Sequence, residues 1–283
     1  MKLYTEIIEY ITKKTSLSSQ QAWWIIEHIT KKNRTTLQWS NESLSKEQAI
    51  ELESYIHDLK YNDKPLAYIL GWIPFLNLTL KVNPPTLIPR PETEYWVDKL
   101  ITSLQKTLLN KPLTILDIGC GSGCISLALA QALPYATIYA VDIAQSAVNL
   151  TQQNAQLNNI SNVICIQSDL FNQLPNEIKF DFIVSNPPYI DRANTLEKSV
   201  HNWEDHGALF ADNKGCFIIE QIIQQAEQYL KKNPAYPQQL ILEIDCTQGE
   251  IVESLLKKYG FSNIKIDKDQ YDRNRTIQAS SAQ

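Results

Sequence analysis

An asparagine, two prolines and a tyrosine, Asn186-Pro187-Pro188-Tyr189, end the apolar run Asp181-Phe182-Ile183-Val184-Ser185. The prolines fix φ at about −65° and delete two backbone N–H donors, and Pro188 drives Pro187 toward extended geometry. Carbonyls without local donors are thus left beside a side-chain amide and an aromatic ring. Such a turn suits a planar NH2 group. The Asn186 side-chain oxygen and the Pro187 carbonyl can each accept one N–H, and Tyr189 can stack on a flat substrate and offer its π-face to positive charge. A nitrogen held this way can attack an electrophilic methyl in line from ~3–3.5 Å, a contribution mainly of orientation that needs no strong general base.

The electrophile has a candidate seat in Asp117-Ile118-Gly119-Cys120-Gly121-Ser122-Gly123, which precedes the apolar stretch Cys124 to Leu133. A glycine loop between a strand and a helix lets a ligand approach the backbone and the helix N-terminus closely. Asp117 is expected at the mouth of the loop, where it would repel a pyrophosphate and favour an adenosyl cofactor that carries a sulfonium and an amino group. Asp142 ends the next strand, where an acid can receive a ribose hydroxyl pair, and Asp169 closes the third strand, facing the adenine amine. Open α/β sheets bind ligands at the carboxyl ends of their strands, and all three features fall there.

The elements that must hold these residues follow from the hydrophobic pattern. Thr114 to Ile118, Thr137 to Val141, Val163 to Gln167, Phe180 to Ser185 and Leu240 to Ile244 read as short buried strands with helices between most of them. That order predicts a doubly wound parallel sheet covered on both faces, with the Asn186 strand beside the first. Asn263 to Asp267 and Arg275 to Ala279 are expected as a terminal hairpin. Pro91 suits the first turn of a helix whose Tyr95, Trp96 and Leu100 turn inward, with Glu92 and Glu94 at its positive end. Arg90, just before it, is either a surface partner of Glu92 or Glu94 or a cation lining a cleft. Phe75 to Val82 alternates as a small hairpin. Upstream, Leu3, Ile7, Ile8 and Ile11, then Ala22, Ile25, Ile26 and Ile29, then Ala49, Leu52, Ile56 and Leu59 recur at helical spacing, which predicts three amphipathic helices. Ser45 with Gln48 forms a capping box for the third, and Asn62-Asp63-Lys64-Pro65 stops it. Trp24 reads as core or half-exposed flank of this bundle, and Trp23 is left open between that and a binding surface.

Composition narrows the function. With 283 residues and 43% apolar content the chain can bury one or two proper cores. A net charge of −5 argues against tight nonspecific binding to a phosphate backbone. The five cysteines contain no Cys-x-x-Cys and read as buried thiols in a reducing cytosol. No His or second Cys stands at zinc spacing from Cys120, Cys124 or Cys165, and His201 and His206 read as part of a solvated polar loop, so no metal is expected. Lys and Glu interrupt the apolar residues of the N-terminus, so neither a signal peptide nor a membrane span is expected.

Leu87-Ile88-Pro89-Arg90-Pro91-Glu92-Thr93-Glu94, the Asp117 to Gly123 loop and Val184-Ser185-Asn186-Pro187-Pro188-Tyr189-Ile190 together resemble the HemK-type protein-(glutamine-N5) methyltransferases. The resemblance covers nearly the whole chain. It implies a class I methyltransferase-type seven-stranded sheet, mostly parallel with a terminal antiparallel hairpin, behind a small N-terminal helical domain. The expected boundaries are 1–64 for the helical, substrate-docking part, 65–90 for the hairpin linker and 91–283 for the methyltransferase domain. It also implies a cytoplasmic, monomeric enzyme that uses S-adenosylmethionine to methylate the glutamine amide in the Gly-Gly-Gln loop of peptide chain release factors. By motif, Asp117, Gly119, Cys120, Gly121, Ser122, Gly123, Asp142, Asp169, Leu170 and Asn186 would hold the cofactor. Asn186, Pro187, Pro188, Tyr189 and Arg90 would hold the glutamine, with Asn186, Pro187 and Tyr189 catalytic. Leu170 stands where the family often has an aromatic residue, and Asp205 where it usually has proline after Glu204. The Asn-Pro-Pro-Tyr turn is shared with adenine-N6 methyltransferases of DNA and RNA, which keeps a nucleic-acid substrate as the rival reading; the acidic balance and the lack of a basic recognition domain favour protein. A noncatalytic cofactor-binding adaptor is a further rival, which the intact loop and turn oppose.

Overall fold

The apolar stripes of the first seventy residues close on one another as helices α1 (Lys2–Lys14), α2 (Ser19–Thr30) and α4 (Lys46–Tyr61). Ile8 and Ile11 of α1, Ile25, Ile26 and Ile29 of α2, and Leu52 and Ile56 of α4 are buried. The structure is a computed structural model that describes residues 2–40, 42–108, 111–175, 177–232, 236 and 238–281, without the side chains of 2, 3 and 108, so Leu3 of the predicted stripe lies outside it. The Ser45–Gln48 capping box is present, a second one at Ser18–Gln21 starts α2, and α4 stops at Asn62. Trp23 is core, with the Arg34 guanidinium 4.9 Å from its ring centroid, and Trp24 is half-buried. Two further helices, α3 (Arg34–Trp39) and α5 (Leu66–Leu70), escape the periodicity because neither is long enough to repeat an apolar face.

The chain divides into two compact units, Met1–Gly71 with Glu197–Trp203, and Trp72–Leu196 with Glu204–Gln283. In the second, β1 (Trp72–Phe75) and β2 (Leu78–Lys81) form the expected hairpin, and α6 (Pro91–Leu108) follows. Then come β3 (Leu113–Ile118), α7 (Cys124–Ala132), β4 (Ala136–Asp142), α8 (Gln145–Leu157), β5 (Val163–Gln167) and β6 (Phe182–Ser185). A two-residue β7 (Ile190–Asp191) pairs in parallel with β8 (Phe210–Ala211); between them lie α9 (Lys198–Trp203), which belongs to the first unit, and α10 (His206–Leu209). Helix α11 (Phe217–Tyr229), β9 (Leu240–Glu243), α12 (Gly249–Lys258), β10 (Ser262–Lys268) and β11 (Asn274–Ser280) complete the chain.

The seven-stranded sheet runs β10-β11-β9-β6-β3-β4-β5, parallel from β9 to β5, with β11 antiparallel to both β9 and β10. This is the class I methyltransferase architecture. The predicted Val163 to Gln167 coincides with β5, and the other predicted strands differ by one or two residues. Phe180 and Asp181 fall outside β6 because Phe180 bridges Leu230 and the Asp181 carboxylate accepts the Thr114 N–H at 2.7 Å. One face of the sheet is covered by the hairpin, α6, α7 and Ala155 of α8, around Ile115, Ile138 and Val184. The other is covered by α11 and α12, around Leu116, Ile183 and Leu242. Burial on both faces explains why β3, β6 and β9 are almost wholly apolar.

The hairpin is fastened to α8 by side chains that imitate a strand. Asn154 accepts the Lys81 N–H at 2.7 Å and donates to the Lys81 carbonyl at 3.0 Å, and one turn later Asn158 treats Thr79 the same way at 3.1 and 2.9 Å. Asparagines four apart on a helix share a face, and alternate strand residues share an edge, so the two periods match.

Candidate active site

The site begins where β3 and β6 leave the sheet. Ile118 pairs with Ser185, and the Ser185 hydroxyl donates to the Ile118 carbonyl at 2.7 Å, so Gly119 and Asn186 start their loops at the same level of the sheet. Adjacent strands are about 4.8 Å apart, which sets the glycine loop and the Asn-Pro-Pro-Tyr turn side by side.

Gly119, Gly121 and Gly123 have φ of 75°, 55° and 83°, the left-handed region that a loop this tight requires. A Cβ at Gly119 or Gly121 would meet nothing within 4 Å, so these two face open space, whereas one at Gly123 would press on Thr151. The loop is pinned from beneath. Gly119 and Cys120 donate N–H groups to the Val141 carbonyl at 2.8 and 2.9 Å, Gly121 donates to Asp142 at 2.9 Å, and the Ser122 carbonyl accepts from Asn154 at 2.9 Å. The Cys120 side chain is buried against Thr151, and Ser122 is buried too, so both serve the loop through their backbone. Burial also pushes the Cys120 thiol well up, away from thiolate chemistry.

Asp117 does not line the mouth of the loop as expected from its position. Its side chain is fully buried, and one oxygen accepts the backbone N–H of Ser126 at 3.0 Å together with the Ser126 hydroxyl, which makes it a remote N-cap of α7. Its other oxygen has no partner among the described residues. Burial pushes the carboxyl up to about 7, against the two Ser126 hydrogen bonds that lower it. Asp142 is half-buried at the end of β4; its oxygens accept Gly121 and Ala144 N–H groups, and burial raises its pKa. Asp169 is exposed two residues beyond β5, and Leu170 takes φ of 50° with its side chain packed on the second core.

The turn itself is gripped by residues to which the sequence assigned no part in the site. Asn186 donates its amide N–H to the Thr93 hydroxyl at 3.2 Å, and Thr93 donates to Glu243 Oε2 at 2.7 Å. The Trp96 indole reaches the same oxygen at 2.7 Å, and the Tyr189 hydroxyl donates to Glu243 Oε1 at 3.1 Å. Glu243 is fully buried, which raises its pKa, and burial likewise raises that of the Tyr189 phenol, with the Glu243 charge adding to it. The available signal was a lone acid ending the apolar strand Leu240-Ile241-Leu242. Behind the turn, Gln248 donates to the Tyr189 carbonyl at 2.8 Å and to Lys214 at 3.0 Å, while Gly215, with φ of 78°, sits so close that a Cβ there would overlap the Tyr189 carbonyl.

Arg90 pairs with neither Glu92 nor Glu94. Its guanidinium meets both oxygens of buried Glu204 at 2.6 and 2.8 Å, and Glu94 instead accepts the Leu76 N–H. Glu204 reaches it because Asp205 turns the chain, donating its N–H to the Pro85 carbonyl at 2.7 Å and capping α10. Arg90 also lines a cavity of about 510 Å3 with Tyr189, Ile190, Glu243, Asp245 and Arg275, which approaches the turn from the Tyr189 side.

A glycine loop with room above it, a strand-end acid and an unpartnered buried carboxylate oxygen fit an adenosyl cofactor with an amino group. Fold and site together define a class I methyltransferase. The family described as Methyltransferase small domain matches residues 97–232, and that described as PrmC N-terminal domain matches residues 3–71. A release factor glutamine methyltransferase of Thermodesulfovibrio yellowstonii is 35% identical over 271 residues, covering 95% of this chain and 94% of that protein. One of Flavobacterium psychrophilum is 39% identical over 236 residues, covering 82% and 81%. Among solved structures, a T. thermophilus 16S rRNA methyltransferase in complex with AdoMet and guanosine shares the fold, with TM-score 0.51, 19% identity, 74% of this chain covered and 49% of the other. The chain belongs to the release factor glutamine methyltransferase family.

Proposed function

We propose that the chain methylates the side-chain amide nitrogen of the glutamine in the Gly-Gly-Gln loop of peptide chain release factors, with S-adenosylmethionine as methyl donor. The observation that carries this reading is the setting of Asn186: its NH2 is committed to Thr93, which leaves its oxygen as an acceptor beside the Pro187 carbonyl, whose following proline has no N–H to offer. Those two acceptors take the two N–H bonds of a primary amide, fix its plane and aim its nitrogen across the glycine loop. The Tyr189 ring, held at its hydroxyl by Glu243 and at its carbonyl by Gln248, forms one wall of the seat. When bound, S-adenosylmethionine supplies a methyl group activated by an adjacent sulfonium. Gly119 and Gly121 would let it lie against the backbone, the free oxygen of Asp117 would meet its amino group, Asp142 its ribose, and Asp169 and Leu170 its adenine. After transfer the nitrogen carries an acidic proton that leaves to water, so the site needs no dedicated base. The protein acts as a cytoplasmic monomer, with residues 1–64 docking the release factor and 65–90 linking them to the methyltransferase domain. Arg90 and the cavity it lines accommodate chain flanking the glutamine.

The test supplies labelled methyl donor with a release factor and, separately, with DNA. Label on the glutamine of the release factor is expected, and Asn186→Ala should slow transfer at saturating cofactor by about 100-fold. Label on DNA instead of protein, or full transfer by the alanine variant, overturns the reading.

A further inference from the structure

A side-chain amide has two ends of nearly the same shape, one oxygen and one NH2, and half a turn about its terminal bond exchanges them. Which end Asn186 shows to the substrate decides whether the site takes a hydrogen-bond donor or an acceptor. The structure contains a chain of hydrogen bonds whose direction settles that choice. It starts at Trp96, whose indole N–H can only donate. At 2.7 Å from Glu243 Oε2 it makes that oxygen an acceptor. As a carboxylate Glu243 has no proton to give, so the Thr93 hydroxyl, 2.7 Å from the same oxygen, donates to it and has spent its single proton. Toward Asn186, 3.2 Å away, Thr93 has only lone pairs to offer, so Asn186 must present its NH2 there and its oxygen to the site. The reverse orientation would set two oxygens against each other. Thr93 and Glu243 are both buried, so no bulk solvent relieves that contact.

We propose that Thr93 and Glu243, with Trp96 fixing Glu243, are positioning residues that set the polarity of the Asn186 amide and thereby the preference of the site for an amide NH2 over a carboxylate. This rests on the reading of Asn186 as an acceptor for the target glutamine. It gives Thr93 a role distinct from packing. A hydroxyl at that position discriminates between glutamine and glutamate without touching either.

The experiment compares wild type, Thr93→Val, Thr93→Ala and Thr93→Ser, each checked by thermal melting and cofactor titration. Two measurements are made: methyl transfer to a release factor, and inhibition by the same factor with glutamate in place of the target glutamine. Wild type and Thr93→Ser should both prefer glutamine strongly. In Thr93→Val the amide is free to turn, so kcat falls with cofactor affinity unchanged, and the ratio of the glutamate factor's Ki to the KM for glutamine drops about tenfold. Thr93→Ala, with no added bulk, gives the same readout if valine prevents folding. Folded valine or alanine variants that lose activity but keep the wild-type ratio overturn the proposal. If wild type transfers no methyl to the release factor, the functional reading fails instead, independently of Thr93.

Discussion

Replacing Asp117 by asparagine should change the pH dependence of stability in a calculable way. The carboxyl is raised from its ordinary 3.8 to about 7 by burial, so between these values the native protein holds a proton that the unfolded chain has released. The native state then binds more protons, and stability falls as pH rises from about 4 to about 7, levelling off above. From pH 5 to pH 8 the loss amounts to about two pKa units, or about 2–3 kcal/mol. Asparagine has nearly the same shape, can accept the Ser126 N–H with its oxygen, and does not titrate. Urea unfolding of the cofactor-free protein at pH 5 and pH 8 measures the difference, with titrating groups remote from Asp117 cancelling between wild type and variant. Wild type should lose about 2–3 kcal/mol more than Asp117→Asn across this interval. Cofactor affinity should move the opposite way, because the variant places an NH2 where the unpartnered oxygen stood. Equal pH profiles for the two proteins would refute the argument that an uncompensated buried charge is held ready beneath the glycine loop.

Two other substitutions probe the supports of the site. Asn154→Ala removes the hydrogen bonds to Lys81 and to the Ser122 carbonyl and should cost about 3 kcal/mol in urea unfolding, with a weaker cofactor affinity because the glycine loop loses an anchor. Gly215→Ala adds a methyl against the Tyr189 carbonyl at a left-handed position; transfer should fall at least about tenfold in a folded protein whose cofactor titration is unchanged.

Much of this molecule was legible from residue order. Short apolar runs locate the strands of the sheet and a period of 3.6 locates the three long N-terminal helices, because burial leaves an apolar record in the chain. The Asp-x-Gly-x-Gly-x-Gly loop and the Asn-Pro-Pro-Tyr turn are local chemistry, set by φ preferences and missing donors, so the sequence alone determined their form and their place at strand ends. Tertiary structure decided what each side chain does there. Asp117 looked like a carboxylate at an open mouth and proved to be a buried helix cap, because helix α7 turns back over it. Arg90 had two acids within four residues and chose Glu204, 114 positions away, because the fold brings that buried carboxylate to it. The orientation of the Asn186 amide, on which the choice of substrate turns, depends on Thr93 and Glu243, which are 93 and 57 residues distant and become neighbours only when α6 packs beside the ends of β6 and β9. Spacing along the chain records periodic burial and local turns; it carries no record of which distant proton donor will reach a given lone pair.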